Sequence, residues 1–250
     1  ALGQELGAFA RVLIGAQIDN DLELARRRGE LQAIIDHHQF HPVFQSCHDL
    51  YTRDVRSYEA LTRFDSGERP DLVFADAWRV GLGQELEVAC ARAAVEVANR
   101  HLGALPLSLN FSPEAIISGA VADLVAESVS PIVIEVTEHV PIVDYAELRR
   151  ALDQCNVKVS VDDAGAGFAS MRHILELKAD VVKLDIGLIR GIDSDLGRQA
   201  LAAGLCHYAA ETGTLLIAEG VETLEEVEAV RRLGVHQAQG FYFGRPEPLG

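Results

Sequence analysis

The sequence lacks an apolar segment long enough to cross a bilayer. None of its hydrophobic runs approaches the roughly 18 residues that a membrane-spanning helix needs, and its N-terminus lacks the basic-then-apolar layout of a signal peptide. Methionine is also scarce, since Met171 is the only one and the chain begins at Ala1. We therefore expect a cytoplasmic chain with no membrane span, and one that is an excised or processed part of a longer protein.

Basic residues are scarce as well. The chain has 22 Lys and Arg against 38 Asp and Glu, which gives a formal net charge of -16. A basic face that binds polymeric nucleic acid is therefore not expected. A small phosphate ligand held by metal ions remains compatible with this charge.

Residues in the usual spacing of a zinc site are absent. Cys47, Cys90, Cys155 and Cys206 lie far apart and form no CxxC pair, and the nine histidines show no HExxH spacing. Reduced thiols in a cytoplasmic domain are the better interpretation of the cysteines.

Short apolar runs alternate with helical patterns from Pro42 onward. Helix starts are indicated at Ser112-Pro113 and by the capping-box spacings Asp144–Glu147 and Thr223–Glu226. Eight strands with helical crossovers in 250 residues predict an α/β fold of the (β/α) barrel type. A doubly wound open sheet is the alternative, but no GxGxxG follows the first strand. The predicted strands are Pro42–Cys47, Arg56–Phe64, Leu107–Phe111, Ile132–Val136, Val157–Asp162, Val181–Asp185, Leu215–Glu219 and Ala238–Phe243.

The N-terminal segment, residues 1–36, precedes the barrel domain predicted for residues 37–250. Leu2, Leu6, Phe9 and Leu13 recur at helical spacings and form a seam for a partner. Asp19-Asn20-Asp21 interrupts this pattern, so a second helix is expected over about 22–38. The segment is either a connector from an upstream sensor domain or a helix that lies on its own barrel.

The stretch VKVSVDDAGAGF, residues 157–168, joins a beta-branched strand to two adjacent carboxylates and a glycine-containing loop. Two like charges at the end of an apolar strand repel each other, and a divalent cation would compensate them. A turn with two solvated aspartates is the alternative for Asp162 and Asp163 taken alone.

Polar residues lie at or near the C-terminal ends of seven predicted strands. In a parallel barrel these ends converge on one face, where barrel active sites lie. Oxygen ligands of this kind suit Mg²⁺ or Mn²⁺, and two ions that share Asp162 would serve in-line displacement at a phosphodiester. Each acid alone could instead form a structural ion pair. The residues are Glu59, Asn110, Glu135, Asp162, Asp163, Lys183, Glu219 and Gln239.

An ordered set of motifs between about Gln39 and Pro246 resembles the EAL-domain cyclic di-GMP phosphodiesterase family. These motifs are EALTR from Glu59, LNFS, IEVTE, VDDAGAGFAS, VVKLD, IAEGVET and QGFYFGRP. The resemblance implies a TIM-like barrel whose first strand is antiparallel, and Mg²⁺- or Mn²⁺-dependent hydrolysis of cyclic di-GMP to linear pGpG. It also implies a homodimer.

The resemblance implies a role for each matching residue. Two metal ions would be bound, the first by Glu59, Asn110, Glu135 and Asp162, the second by Asp162, Asp163 and Glu219. Lys183 matches a lysine that contacts the nucleophilic water, and Glu219 matches a general base, so that Lys183, Glu219 and Glu59 are the expected catalytic residues. Substrate contacts are implied for Gln45 and Arg63, supporting positions for Glu222 and Gln239, and a loop anchor for Glu138.

The chain departs from the family pattern in the loop after the two aspartates. Ala164, Ala166 and Ala169 stand where Phe, Thr and Ser are usual. This change motivates a second hypothesis, a catalytically weak or inactive cyclic di-GMP receptor. A metal-dependent barrel enzyme of another class, such as an enolase-like lyase, is a third, but the order of the motifs counts against it.

Overall fold

The computed structural model describes residues 2–137, 142, 144–164 and 168–249, and for residues 2–16, 18, 163 and 168–170 it describes the backbone alone. Eight strands of this part of the chain close into a barrel in sequence order. The strands are β1 (Phe40–Asp49), β2 (Val55–Phe64), β3 (Leu107–Phe111), β4 (Ile132–Val136), β5 (Lys158–Ala164), β6 (Val181–Leu184), β7 (Leu215–Ala218) and β8 (Gln237–Ala238).

Helices precede the barrel and form most of the crossovers between its strands. Within the described residues they are α1 (Leu2–Asp36), α2 (Pro70–Arg79), α3 (Gly83–His101), α4 (Pro113–Ile117), α5 (Ala120–Glu127), α6 (Tyr145–Cys155), α7 (Phe168–Leu177), α8 (Ile186–Ile189), α9 (Leu196–Thr212) and α10 (Leu224–Leu233). No helix in the described ranges combines the length and the apolar character needed to span a membrane.

Strand directions confirm the predicted fold class. β1 is antiparallel to both of its neighbours, β2 and β8, whereas the other neighbouring pairs are parallel. The closed barrel excludes the open doubly wound sheet. Because β2 to β8 run in the same direction, their C-terminal ends lie on one side of the barrel, which we call the carboxyl rim.

Alternation along β4 shows how the strands divide the interior. Ile134 and Val136 join the apolar cluster between barrel and helices, whereas Val133 joins a smaller cluster with Val181 and Ile217 from other strands. Successive side chains of a strand point to opposite faces. Glu135 therefore points to the same side as Val133, into the barrel, and is 2 % exposed.

The predicted helix starts are confirmed. The Ser112 side chain accepts a hydrogen bond from the Ala115 N–H at the start of α4. The Asp144 side chain does the same for the Glu147 N–H, and Thr223 and Glu226 form a complete capping box on α10. These caps satisfy N–H groups that have no partner within the first helical turn.

Two predicted elements are wrong in extent. The eighth strand, predicted as Ala238–Phe243, ends at Ala238, because Gly240 adopts a φ of 150° and the backbone turns over residues 241–243. The expected break at Asp19–Asp21 does not occur, since α1 is continuous from Leu2 to Asp36. Polar residues cost a helix interior well under 1 kcal/mol each, and Gln17 bonds Asp21 along the same helix.

The C-terminal part of α1 packs against the barrel domain. Leu31, Ile34 and Ile35 are buried in one cluster with residues of β1, β2, α2 and α3. Arg27 also joins α1 to Asp76 of α2 through an ion pair of 2.9 Å. The seam side chains of Leu2, Leu6, Phe9 and Leu13 lie outside the described side chains, and the domain boundary at residue 36 stays a prediction.

Candidate active site

A cluster of carboxylates surrounds one buried lysine at the carboxyl rim. Lys183, on β6 and 1 % exposed, places its Nζ 2.7 Å from Glu219 Oε1, 2.9 Å from Glu135 Oε2 and 3.1 Å from Glu59 Oε2. Asp162 Oδ2 lies 3.7 Å from the same nitrogen. Residues predicted from five separate segments are thus brought together, as expected for strand ends that converge on one rim.

Two amides complete this cluster. The Asn110 side chain, at the end of β3, donates to Glu59 Oε1 at 3.3 Å. Gln239 Nε2 lies 2.7 Å from both Glu59 Oε2 and Glu219 Oε1. Gln239 therefore connects Glu59 of β2 with Glu219, which follows β7. We call these seven residues the Lys183 cluster.

Burial and repulsion between like charges disfavour ionisation of the acids in the Lys183 cluster. Desolvation raises the pKa of Glu135 to about 8, although the Lys183 ammonium acts in the opposite direction. The pKa of Glu219 is also raised well above its usual range by burial, with the neighbouring Asp162 and Glu59 charges adding to the effect. Burial lowers the pKa of Lys183, but attraction to Glu135, Glu219, Glu59 and Asp162 outweighs burial and raises it. One lysine thus faces more negative charge than it can neutralise.

The strand that carries Asp162 is irregular at that residue. The pairing of β5 with β6 shifts register between Val161 and Ala164. Such bulges re-aim side chains and occur often next to active sites. Asp162 lies in this irregular stretch, and its Oδ2 approaches Lys183 Nζ to 3.7 Å. The predictions for the Asp163 side chain, for Glu138 and for Ala166 and Ala169 lie outside the described residues and side chains.

The predicted substrate contacts lie beside the Lys183 cluster. Gln45 of β1 pairs directly with Glu59 across the antiparallel ladder, and its amide donates to the Gly244 carbonyl at 3.3 Å. Arg63 is half-buried on β2 and donates to the Thr62 carbonyl at 2.9 Å. The Glu222 side chain forms an ion pair of 2.7 Å with Arg190.

A cavity of about 530 Å³ opens from the Lys183 cluster towards α2 and α3. Its lining includes Glu59, Asn110 and Asp162 of the Lys183 cluster, together with Arg63. The part of the lining that α2 and α3 contribute, which we call the apolar lobe, is mainly apolar. Its apolar side chains include Pro70, Phe74, Trp78, Cys90, Ala91 and Ala94.

Sequence reasoning missed the residues of the apolar lobe and the acid behind them. Trp78 Nε1 donates to Glu87 Oε1 at 2.9 Å, and Glu87 Oε2 accepts from the Ser112 N–H at 3.0 Å and the Ser112 hydroxyl at 2.8 Å. Glu87 is 9 % exposed. The available signals were the single tryptophan of the chain and an acid within an otherwise apolar helix face.

Metal binding depends on the donor set of the Lys183 cluster. Over the described ranges, no group of three or more His, Cys, Asp or Glu side chains is already arranged around a metal position, since the acids of the cluster contact the Lys183 ammonium instead. The donors are nonetheless hard oxygens, of the type that Mg²⁺ and Mn²⁺ prefer, and Lys183 alone does not keep all of these acids ionised. The residues present therefore fit divalent ions in chemistry.

Comparisons with known proteins agree with this geometry. A family model described as the EAL domain matches residues 28–246. Among curated proteins, the chain is 28% identical to an uncharacterized protein, Rv1354c, of Mycobacterium tuberculosis over 98% of its length. It is 26% identical to the cyclic di-GMP phosphodiesterase PdeF of Escherichia coli over 88% of its length. The chain spans only 42% and 31% of those two relatives.

Solved structures share the fold. An EAL domain protein from Listeria monocytogenes superposes with a TM-score of 0.77 at 27% identity, covering 86% of this chain and 91% of that one. BlrP1 of Klebsiella pneumoniae, in a complex with manganese and cyclic di-GMP, gives a TM-score of 0.75 at 29% identity, covering 84% of this chain and 56% of that one.

Proposed function

The chain belongs to the EAL domain family, and we propose that it is a divalent-metal-dependent phosphodiesterase that hydrolyses cyclic di-GMP to linear pGpG. The Lys183 cluster carries this proposal. Glu59, Glu135, Asp162 and Glu219 converge within 3.7 Å of one buried ammonium, and the cavity beside them has room for a ligand. The names of relatives such as PdeF support the choice of substrate.

Divalent ions would be held by the oxygen donors of the cluster. One Mg²⁺ or Mn²⁺ would be bound by Glu59, Asn110, Glu135 and Asp162. The second would be bound by Asp162, Asp163 and Glu219. The excess of negative charge supports this assignment, because one lysine leaves the buried acids under-neutralised. When bound, two such ions polarise a phosphodiester and activate water for in-line attack.

The side chains of this chain supply orientation and proton transfer. Lys183 would hold the attacking water and stabilise charge that develops on the phosphoryl oxygens. Glu219 Oε1, 2.7 Å from Lys183 Nζ, would accept the proton of that water. Gln239 fixes Glu219 against Glu59, and Arg63 would bind a phosphate oxygen from its place in the cavity wall.

The proposal is tested by incubating the purified chain with cyclic di-GMP and either Mg²⁺ or Mn²⁺, and by separating the products chromatographically. We expect pGpG with at least one metal and none in EDTA. Glu59→Ala and Lys183→Ala should each lower kcat by at least about a hundredfold. Glu225→Gln, an exposed acid on α10, is the matched control and should leave turnover unchanged. Absence of turnover with both metals would overturn the proposal.

A non-catalytic receptor is the competing function, and the sequence of the loop after Asp163 favours it. Calorimetry separates the two. Tight binding of cyclic di-GMP in EDTA without hydrolysis would support a receptor, whereas metal-dependent hydrolysis would exclude it. The chain retains all the predicted acidic ligands and the lysine, and we therefore favour the enzyme.

A homodimer and an upstream sensor domain complete the proposal. The resemblance implies the dimer, and the spacing of Leu2, Leu6, Phe9 and Leu13 is compatible with a helical seam. Relatives such as MucR of Pseudomonas aeruginosa, a bifunctional diguanylate cyclase and phosphodiesterase, match this chain over 21% of their own length. Light scattering that gives a monomer at high protein concentration would refute the dimer.

A further inference from the structure

The apolar lobe has an aromatic wall. Trp78 lines it from α2, and Phe74, one helical turn earlier, lines it as well. Phe74 is fixed edge-to-face against Phe64 of β2, with ring centroids 5.8 Å apart. Aromatic faces of this kind are the surfaces on which nucleobases stack in many nucleotide-binding proteins.

The Trp78 indole is held on two sides. Its Nε1 donates to Glu87 Oε1 at 2.9 Å, and one face lies against the backbone at Gly83, where a Cβ would stand 2.3 Å from the ring. Only glycine leaves space for the indole at that position. The orientation of Trp78 is therefore determined by two residues in the first part of α3, Gly83 and Glu87.

Glu87 also ties this wall to the barrel. Its second oxygen accepts from both the backbone N–H and the hydroxyl of Ser112. Ser112 follows β3 and begins α4, two residues after Asn110 of the Lys183 cluster. A single buried carboxylate thus links the wall of the lobe to the strand end that carries a predicted metal ligand.

We infer that Glu87 is a positioning residue and Trp78 a specificity-determining residue: Glu87 holds the indole as the surface on which one purine base of the dinucleotide stacks. This inference rests on the proposed function. The cavity lining combines acids and Arg63 with apolar and aromatic side chains, and these two kinds of lining match the two parts of such a substrate. The phosphodiester lies at the acids and Arg63, and the base enters the apolar lobe.

The single tryptophan of the chain makes the inference measurable. Cyclic di-GMP is titrated into the full chain in Ca²⁺, the ion present in a solved complex of BlrP1 with this ligand, while tryptophan fluorescence is followed. Saturable quenching is expected for the wild type. Kinetic constants are then measured in Mn²⁺ for Glu87→Gln, Trp78→Phe and Trp78→Ala.

Loss of the base contact should appear mainly in KM. We expect KM to rise about tenfold or more for Trp78→Ala, in line with the measured value of base–aromatic stacking, and less for Trp78→Phe, which keeps an aromatic ring. Glu87→Gln should raise KM about three- to tenfold, because an amide cannot accept from both Ser112 and the indole without disturbing one of them. In Glu87→Gln, cyclic di-GMP should also quench the tryptophan fluorescence with a smaller amplitude than in the wild type.

A double variant tests whether Glu87 acts through Trp78. Adding Glu87→Gln to Trp78→Ala should raise KM by less than twofold further, since coupled residues are not additive. Arg92→Gln is the control. Arg92 lies on α3, as Glu87 does, and forms an exposed ion pair with Glu127 of α5. Its replacement should leave KM and fluorescence quenching at wild-type values.

Two outcomes would overturn the inference itself, and a third would overturn the proposed function. If Trp78→Ala and Glu87→Gln keep the wild-type KM and lower only the thermal stability, the two residues have a purely structural role. Binding without fluorescence change would show that no base approaches Trp78. Absence of both binding and hydrolysis in the wild type would instead remove the proposed function on which the inference rests. If Glu87→Gln fails to fold, Trp78→Phe decides, because it leaves Glu87 bonded to Ser112.

Discussion

The Lys183 ammonium forms ion pairs with several buried carboxylates at once. It contacts Glu59, Glu135 and Glu219 within 3.1 Å, and removing one partner of a buried ion pair leaves uncompensated charge. In EDTA, Lys183→Met should therefore lower the free energy of unfolding by about 3–5 kcal/mol. Urea denaturation followed by circular dichroism measures this change.

The matched control for this prediction is Lys158→Met, which removes an exposed lysine at the start of β5. Its effect should stay within about 0.5 kcal/mol. Equal stability of Lys183→Met and the wild type in EDTA would mean that the acids of the cluster are already protonated or solvated, and that the lysine does not hold them.

Gly240 is required next to Gln239 of the Lys183 cluster. Its φ of 150° is rare for other residues, and a Cβ would lie 2.2 Å from the Val221 carbonyl oxygen. Gly240→Ala should therefore destabilise the protein by about 1–3 kcal/mol and reduce turnover by displacing Gln239. Thermal denaturation and product analysis test both effects.

Gly204 provides the comparison for Gly240. It lies in α9 with no atom within 4 Å of an added Cβ, and Gly204→Ala should be neutral or stabilise the helix by up to about 1 kcal/mol. Similar behaviour of the two alanine variants would contradict the steric argument at Gly240.

At the scale of elements, α10 depends on Glu226 for its start. The Glu226 carboxylate accepts from the backbone N–H groups of Gly191, Glu222 and Thr223. Burial opposes its charge, but these hydrogen bonds and Arg190 lower its pKa below the ordinary 4.5. Its stabilising contribution is therefore fully present above pH 4.5 and is lost as the pH falls through the lower, folded-state value.

Glu226→Gln should then cost about 1–2 kcal/mol of unfolding free energy at pH 7. The difference from the wild type should shrink below pH 4, where the wild-type carboxylate itself takes up a proton. Urea denaturation at both pH values measures it. A difference that is the same at both values would show that the charge of Glu226 plays no part.

The strands were predictable because their signals are local. Most of the barrel strands carry short beta-branched or apolar runs, and all five residues of β4 lie where they were predicted. The eighth strand was overextended because Phe241, Tyr242 and Phe243 favour a strand locally, whereas Gly240 and its contact with Val221 turn the backbone. The continuity of α1 was missed because a short polar run mimics a helix cap.

The acids of the candidate site were predictable from the sequence, whereas the residues that line the apolar lobe were not. Glu59, Glu135, Asp162 and Glu219 interrupt or end apolar strands, and the convergence of parallel strand ends follows from the barrel alone. Trp78 and Glu87 lie on helices, and the contact of Glu87 with Ser112 depends on how α2 and α3 pack against the barrel. No local pattern determines that packing.

At the scale of the whole molecule, the Lys183 cluster joins strands around the barrel. Glu59, Glu135, Asp162 and Lys183 lie on β2, β4, β5 and β6, and Glu219 and Gln239 follow β7 and β8 at once. A ligand that binds this cluster contacts most of the barrel and has no comparable site in the unfolded chain. Its binding free energy therefore adds to the stability of the entire fold.

Mn²⁺ should consequently stabilise the protein in a saturable way. At about 100 times its dissociation constant, the gain in unfolding free energy is about 2.7 kcal/mol, or about 5–10 °C in Tm for a domain of this size. Scanning calorimetry at constant ionic strength separates this gain from simple screening of the net charge of -16. Glu135→Gln should abolish most of the shift and the exposed Glu225→Gln none of it. A shift of equal size in both variants would place the ions elsewhere on the acidic surface.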